Sequence, residues 1–247
     1  MGSSLTKSRK NELFNVTICD ILYVMKIMDF IKSNKAYFED YITRSTYHSN
    51  AIEGNTLSYA ETYAIIFNDN SFKVKAEPRE IYEAINHKYA LSYVLDYINE
   101  PFSERFIKDI ATLINKNVTD FSDYRTVQVY ISGAQHLPPP PETVRNSMMY
   151  FVNNYNNTKY TNIFEKIAGQ HIEFERIHPF EDGNGRTGRL LINYELLKND
   201  IAPAVIEKDD RSQYFEFLAN SDIHGFGKFL EFLSHKEFQR MQCLKKT

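Results

Sequence analysis

The sequence predicts a mainly α fold: a helical bundle with one short β-hairpin. Two observations carry this. Apolar residues recur at three- and four-residue steps through most of the chain, the repeat of a buried helix face. Only Thr126-Val127-Gln128-Val129-Tyr130-Ile131 alternates with the period of a strand. No stretch rich in Gly, Ser or Pro demands a second folded unit.

The elements follow in order. Residues 14–33 put Ile18, Ile21, Leu22, Met25, Met28 and Ile31 on one face. Asn15, Asp20, Lys26 and Asp29 interrupt that run, so it reads as an amphipathic helix rather than the ~18 apolar residues of a membrane span. Residues 80–98 repeat the pattern with Ile81, Ile85, Tyr89, Tyr93 and Tyr97, and residues 104–117 with Phe106, Ile110, Leu113 and Ile114. The strand-like run then meets a Ser132-Gly133 turn and Leu137-Pro138-Pro139-Pro140-Pro141, a polyproline II segment. Further helices are expected over 142–155, 163–177 and 186–199. The tail, 210–243, is expected to be helical with a break near Gly225 and Gly227. We divide the chain into an N-terminal helical segment, 1–39, which could pack separately, and a main domain, 40–247.

The composition narrows the function classes. The chain has 247 residues, with 29 Lys+Arg against 32 Asp+Glu and a formal charge of -3. No global basic field draws it to nucleic acid or to an anionic membrane. Cys19 and Cys243 cannot form a disulfide framework, and the start lacks an apolar signal segment, so a cytoplasmic location is expected. Met1-Gly2-Ser3-Ser4 is expected to be partly vector-encoded.

The densest functional stretch is His178-Pro179-Phe180-Glu181-Asp182-Gly183-Asn184-Gly185-Arg186-Thr187-Gly188-Arg189. Pro179 drives His178 out of the right-handed α region, ending one helix. Gly183 and Gly185 permit backbone angles that turn successive N–H groups into one concavity. That concavity opens a helix, whose N-terminus favours anions. Arg186 and Arg189, three apart, share a helical face. Together these make a polyphosphate cradle. Asp182 adds one hard oxygen suited to Mg²⁺ shared with phosphates, and His178 a base that titrates near neutrality. Gly183, Gly185 and Gly188 also spell the dinucleotide fingerprint, but the segment before them has helical rather than strand period.

The stretch resembles the signature of the Fic (Fido) family, whose known members are mostly adenylyltransferases (AMPylases) that move AMP from ATP to a protein hydroxyl. The resemblance implies that 40–247 is a Fic domain. It implies that His178 is the catalytic base toward a target Ser, Thr or Tyr hydroxyl, and that Asp182 holds Mg²⁺. It implies that Gly183, Asn184, Gly185, Arg186, Gly188 and Arg189 bind ATP. Residues 124–141 resemble the family's flap, where Val129, Ile131, Ser132 and Gly133 would dock the target by strand addition. An extra residue around 132–135 leaves the flap register open. Residues 211–220 resemble the adenine-side segment, with Tyr214 and Asn220 at the nucleoside, although spacing alone reads Tyr214 as core. His171 reads as a structural histidine, not a zinc ligand, because no His-Glu-x-x-His occurs.

A second motif lies upstream. Ser49 and Glu53, four apart, share one helical face, and Gly54 is a natural residue to end that helix. Ser58 and Glu61 then form a capping box for the next helix. An acid at a helix C-terminus is unfavourable by ~0.3–1 kcal/mol and is better placed against a cation. The segment resembles the Fic inhibitory motif of the N-terminal-brake class (class II), in which the Glu reaches the second motif arginine, here Arg189. The resulting expectation is an autoinhibited AMPylase. De-AMPylation through Glu53, a non-catalytic nucleotide-sensing module and transfer of UMP or phosphocholine stay open as alternatives. ATP and a hydroxyl-bearing target protein, with the chain itself as one candidate target, are the expected partners; nucleic acid and membrane are not, and homo-oligomerisation is left open.

Overall fold

The structure, a computed structural model, describes residues 26–68, 73–120, 123–131, 136–158 and 160–244. Ten α-helices occur among them: α1 Ile27–Ser33, α2 Lys35–Ile52, α3 Tyr59–Phe67, α4 Pro78–Asp96, α5 Glu104–Asn115, α6 Pro141–Asn157, α7 Ile163–Ile177, α8 Asn184–Lys198, α9 Arg211–Asn220 and α10 Ile223–Leu244. A 3₁₀ turn, Lys208–Asp210, precedes α9.

The helix α8 is the axis of the molecule. Thirteen of its fifteen residues are buried. Leu190, Leu191, Tyr194 and Leu197 face a large core shared with α1, α2, α4, α5, α6 and α7. Ile192 and Leu196 face a second core with Ile52, Ile167, Tyr214, Phe226 and Leu230. On a helix buried all round, each unpaired polar group costs ~1–3 kcal/mol. Asn193 accordingly clasps the Ala204 N–H at 2.8 Å and its carbonyl at 3.1 Å.

Local signals set the other boundaries. Asn34 separates α1 from α2 and caps the latter, accepting the Tyr37 N–H at 2.9 Å. The expected first helix therefore ends at Ser33, and its residues 14–25 lie outside the described part. Ile27, Phe30 and Ile31 enter the main core. The Ser58–Glu61 capping box forms as read, and Glu53 and Gly54, at φ +99°, terminate α2.

Two expectations are corrected. The tail breaks at Ser221, in the left-handed region at φ 51°, while Gly225 and Gly227 lie inside α10. Gly227 belongs there for space: a Cβ would come within 3.1 Å of the Glu165 backbone, where α7 crosses α10. Thr126–Ile131, expected as one arm of a hairpin near 126–137, also form no strand among the described residues, and the expected turn, 132–135, lies outside them. The returning arm is Leu137 followed by four prolines, which have no N–H to donate to a ladder. Side chains bridge the arms instead, with Gln128 Nε2 donating to the Pro138 carbonyl at 3.1 Å.

Candidate active site

His178 closes α7, its N–H still bonded to the Phe174 carbonyl at 3.0 Å. Its backbone leaves the right-handed region, as Pro179 requires, but enters the left-handed one at φ 49°, ψ 63° rather than the extended one. Burial pulls the imidazole down to about 4, and the Arg125 charge adds to the effect, against the opposing Glu175 carbonyl and the charges of Glu53 and Asp182. The ring is thus neutral at pH 7, the form a general base needs.

The loop after it is held by its own residues. Asn184 is 2% exposed and clasps Phe180 twice, accepting its N–H at 2.9 Å and donating to its carbonyl at 2.8 Å. Gly183 takes φ +77° just before α8, which only glycine adopts at low cost. Gly185 does not need the special backbone angles expected of it, because it is already helical. Its lack of a side chain matters sterically, since a Cβ would overlap the Glu53 carboxylate and lie 3.0 Å from Arg189 Nη1.

The two motif arginines are both buried but serve different partners. Arg186 donates through Nη2 to Asp182 Oδ1 at 3.0 Å, with Glu83 of α4 at 3.4 Å from Nη1. Asp182 Oδ1 also accepts the Gly183 N–H at 2.6 Å, and its Oδ2 accepts from Arg79 at 2.5 Å. Burial opposes ionisation of Asp182, but Arg186, the Gly183 N–H and Arg79 together hold it below the usual carboxylate range. Arg189 donates to Ser49 Oγ at 3.0 Å, the Ser49 carbonyl at 2.8 Å and Glu53 Oε1 at 2.7 Å. Burying a lone guanidinium would cost several kcal/mol, and these three acceptors offset that. Its Nη1 is buried with no hydrogen-bond partner among the described residues.

An imidazole, a helix N-terminus and two buried arginines lie within twelve residues, an arrangement chemically suited to phosphate. Residues 101–196 match the Fic/DOC family. The chain carries a Fic/DOC domain. It is 34% identical over 212 residues to a protein adenylyltransferase Fic of Nematostella vectensis, spanning 81% of this chain and 47% of that protein. The corresponding Drosophila melanogaster protein is 32% identical over 210 residues, 79% of this chain and 40% of its own length. The chain thus spans about half, or less, of these relatives. Among solved structures, a Fic domain containing signaling protein from Bacteroides thetaiotaomicron aligns with a TM-score of 0.76 at 24% identity, covering 93% of this chain and 98% of that one. Fic-1 from C. elegans aligns at 0.70 and 24%, covering 93% and 69%. At these identities the structural likeness speaks to the fold alone.

On sequence, Tyr214, Asn220 and the flap residues are also expected at the site. Tyr214 is 1% exposed, bonded through its hydroxyl to His171 Nε2 at 2.7 Å. It supports Arg189 from behind, with the guanidinium 5.8 Å above its ring, and offers no face to a nucleoside. Asn220 ends α9 in solvent. Val129 and Ile131 are half-buried, and Ser132 and Gly133 lie outside the described residues.

The structure adds residues that spacing did not reveal. Glu83 and Arg79 reach the loop from α4, about one hundred positions earlier in sequence. Glu175 lies three residues before His178, and burial, helped by Glu53, lifts its carboxyl to about 8. Its only sequence signal was an acid on the inner face of α7. Arg125 was legible only as part of the flap.

Proposed function

We propose that the protein is an autoinhibited protein adenylyltransferase, moving AMP from ATP to a Ser, Thr or Tyr hydroxyl of a target protein. The observation that carries this reading is the Glu53–Arg189 contact at 2.7 Å, made inside the helix N-terminus that would hold the phosphates. His178 accepts the hydroxyl proton as the hydroxyl oxygen bonds to the α-phosphorus, the bond to the β-phosphate oxygen breaks and pyrophosphate leaves. The N–H groups at the start of α8 and the two arginines receive the phosphate chain. Glu53 occupies the second arginine in the resting protein and keeps the terminal phosphate from its seat.

Asp182 fits a shared metal role. It is a single hard carboxylate at the cradle's mouth, its Oδ1 held by Arg186 and the Gly183 N–H and its Oδ2 by the exposed Arg79, which a cation would displace. No group of three or more His, Cys, Asp or Glu that could hold a metal ion occurs among the described residues, so a cation would depend on the nucleotide for the rest of its shell. Mg²⁺ held there would neutralise charge on the phosphates.

Removal of AMP is the second reading, favoured because the Glu53 carboxylate is partly solvent-exposed beside the cradle, where it could orient a water. ATP labelled at the α-phosphate tests the first reading against a γ-labelled control. AMP transfer labels protein from the α position only. Label arriving from the γ position would mean phosphoryl transfer and overturn the proposal.

A further inference from the structure

Arg125 is 3% exposed and lies between the flap and the motif loop. Its backbone N–H donates to the Pro179 carbonyl at 2.9 Å. Its side chain donates to four more carbonyls: His178 at 2.8 Å, Val127 at 3.0 Å, Pro139 at 2.5 Å and Ile177 at 3.4 Å. No carboxylate pairs with it among the described residues. A desolvated cation spent wholly on carbonyls is expensive, and only a planar five-donor fork can reach so many acceptors at once.

The placement of those acceptors is specific. Ile177 and His178 are the end of α7, where cations are favoured. Val127 and Pro139 are on the outgoing and returning arms of the flap, which no backbone ladder joins among the described residues. His178 itself is in the left-handed region at φ 49°, a conformation that costs a non-glycine residue ~1–3 kcal/mol and persists only where its surroundings impose it.

We propose that Arg125 is a positioning residue that locks the base and both flap arms into one frame, so that a hydroxyl docked on the flap meets the His178 imidazole. The inference rests on the AMP-transfer reading. Arg125 does not touch the cradle on α8, so nucleotide binding is not its task.

The test uses the full chain with Glu53→Gly as parent, and compares Arg125→Lys and Arg125→Ala. Both should lose about 10²-fold in kcat, the cost of misplacing a reacting group by on the order of 1 Å, while calorimetry gives ATP Kd within about twofold of the parent. The variants should separate in the pH profile. With Glu53 absent from the parent, Glu175 and Asp182 still face His178 in both, and the opposing charge is lost only in Arg125→Ala. The acid limb should therefore move up in Arg125→Ala and hold in Arg125→Lys. A kcat for Arg125→Lys within threefold of the parent would overturn the proposal. So would a loss of ATP affinity matching the loss of kcat, the mark of general loosening. If Arg125→Ala does not fold, Arg125→Lys decides alone. If the parent itself transfers no AMP, the proposed function fails. The frame is then read by NMR of the His178 ring, whose unchanged shifts in Arg125→Lys would overturn it.

Discussion

On one side of His178, residues 179–189 keep their shape through bonds within the segment. Asn184 clasps Phe180, the Gly183 N–H meets Asp182, and α8 begins at once. On the other side, residues 126–131 and 136–140 are held by side chains reaching across, chiefly Arg125 and Gln128, with no regular hydrogen bonding among the described residues. The contrast suits two tasks. A phosphate chain is the same in every turnover and is served by a prebuilt, rigid cradle. A protein target brings its own backbone, and an arm with unpaired groups can accept it.

The largest effect expected from this contrast is at the residue between the two walls. His178→Ala should lower AMP transfer by ~10²–10⁴-fold while ATP affinity holds, because the phosphate donors belong to the other wall. Parallel loss of ATP binding would break the division of labour. The same histidine fixes the pH dependence. Its ordinary value is lowered to about 4, so the neutral base persists as pH falls to that point. Transfer should stay level from about pH 7 to 5 and fall as pH drops through about 4. A limb near 6.5 would mean that the imidazole is far better solvated than its burial indicates.

Next in size is Asn184→Ala. It removes both side-chain hydrogen bonds to the Phe180 backbone, worth roughly 0.5–1.5 kcal/mol each. Thermal unfolding should move down by several degrees and ATP binding should weaken with it. The smallest effect is expected in the flap. Gln128→Ala removes one bridging bond, worth about 1 kcal/mol or less. It should leave ATP binding unchanged and show mainly as faster amide exchange over the flap arms. Equal consequences for both substitutions would erase the distinction between a rigid wall and an adaptable one.

The same contrast explains what could be read from the chain alone. Helix α7 runs over the 163–177 expected for it, and α8 starts two residues before its expected bound, because apolar spacing and caps are local properties. The Glu53–Arg189 pair was accessible although 136 positions separate its members, since each residue carried its own signal: an acid at a helix end and an arginine in a phosphate loop. The strand expected over 126–131 is absent because alternation says nothing about its partner, and prolines removed that partner's donors. Glu83, Arg79 and Arg125 act through contacts between distant segments, which no spacing rule reports. Tyr214 was assigned to nucleoside by resemblance, whereas its helical spacing pointed to the buried position it occupies.

The measurement closest to the centre of the account is AMP transfer from α-labelled ATP by the wild type, Glu53→Gly, and Glu53→Gly with Arg189→Ala. A carboxylate held by a charge-assisted hydrogen bond of ~1.5–3 kcal/mol competes with phosphate for Arg189, so its removal should raise transfer, self-modification included, at least about tenfold. The double variant should fall back towards background, because the gain runs through Arg189. A folded, ATP-binding Glu53→Gly protein as silent as the wild type, or a gain that survives loss of Arg189, would contradict the reading of Glu53 as the brake on this site.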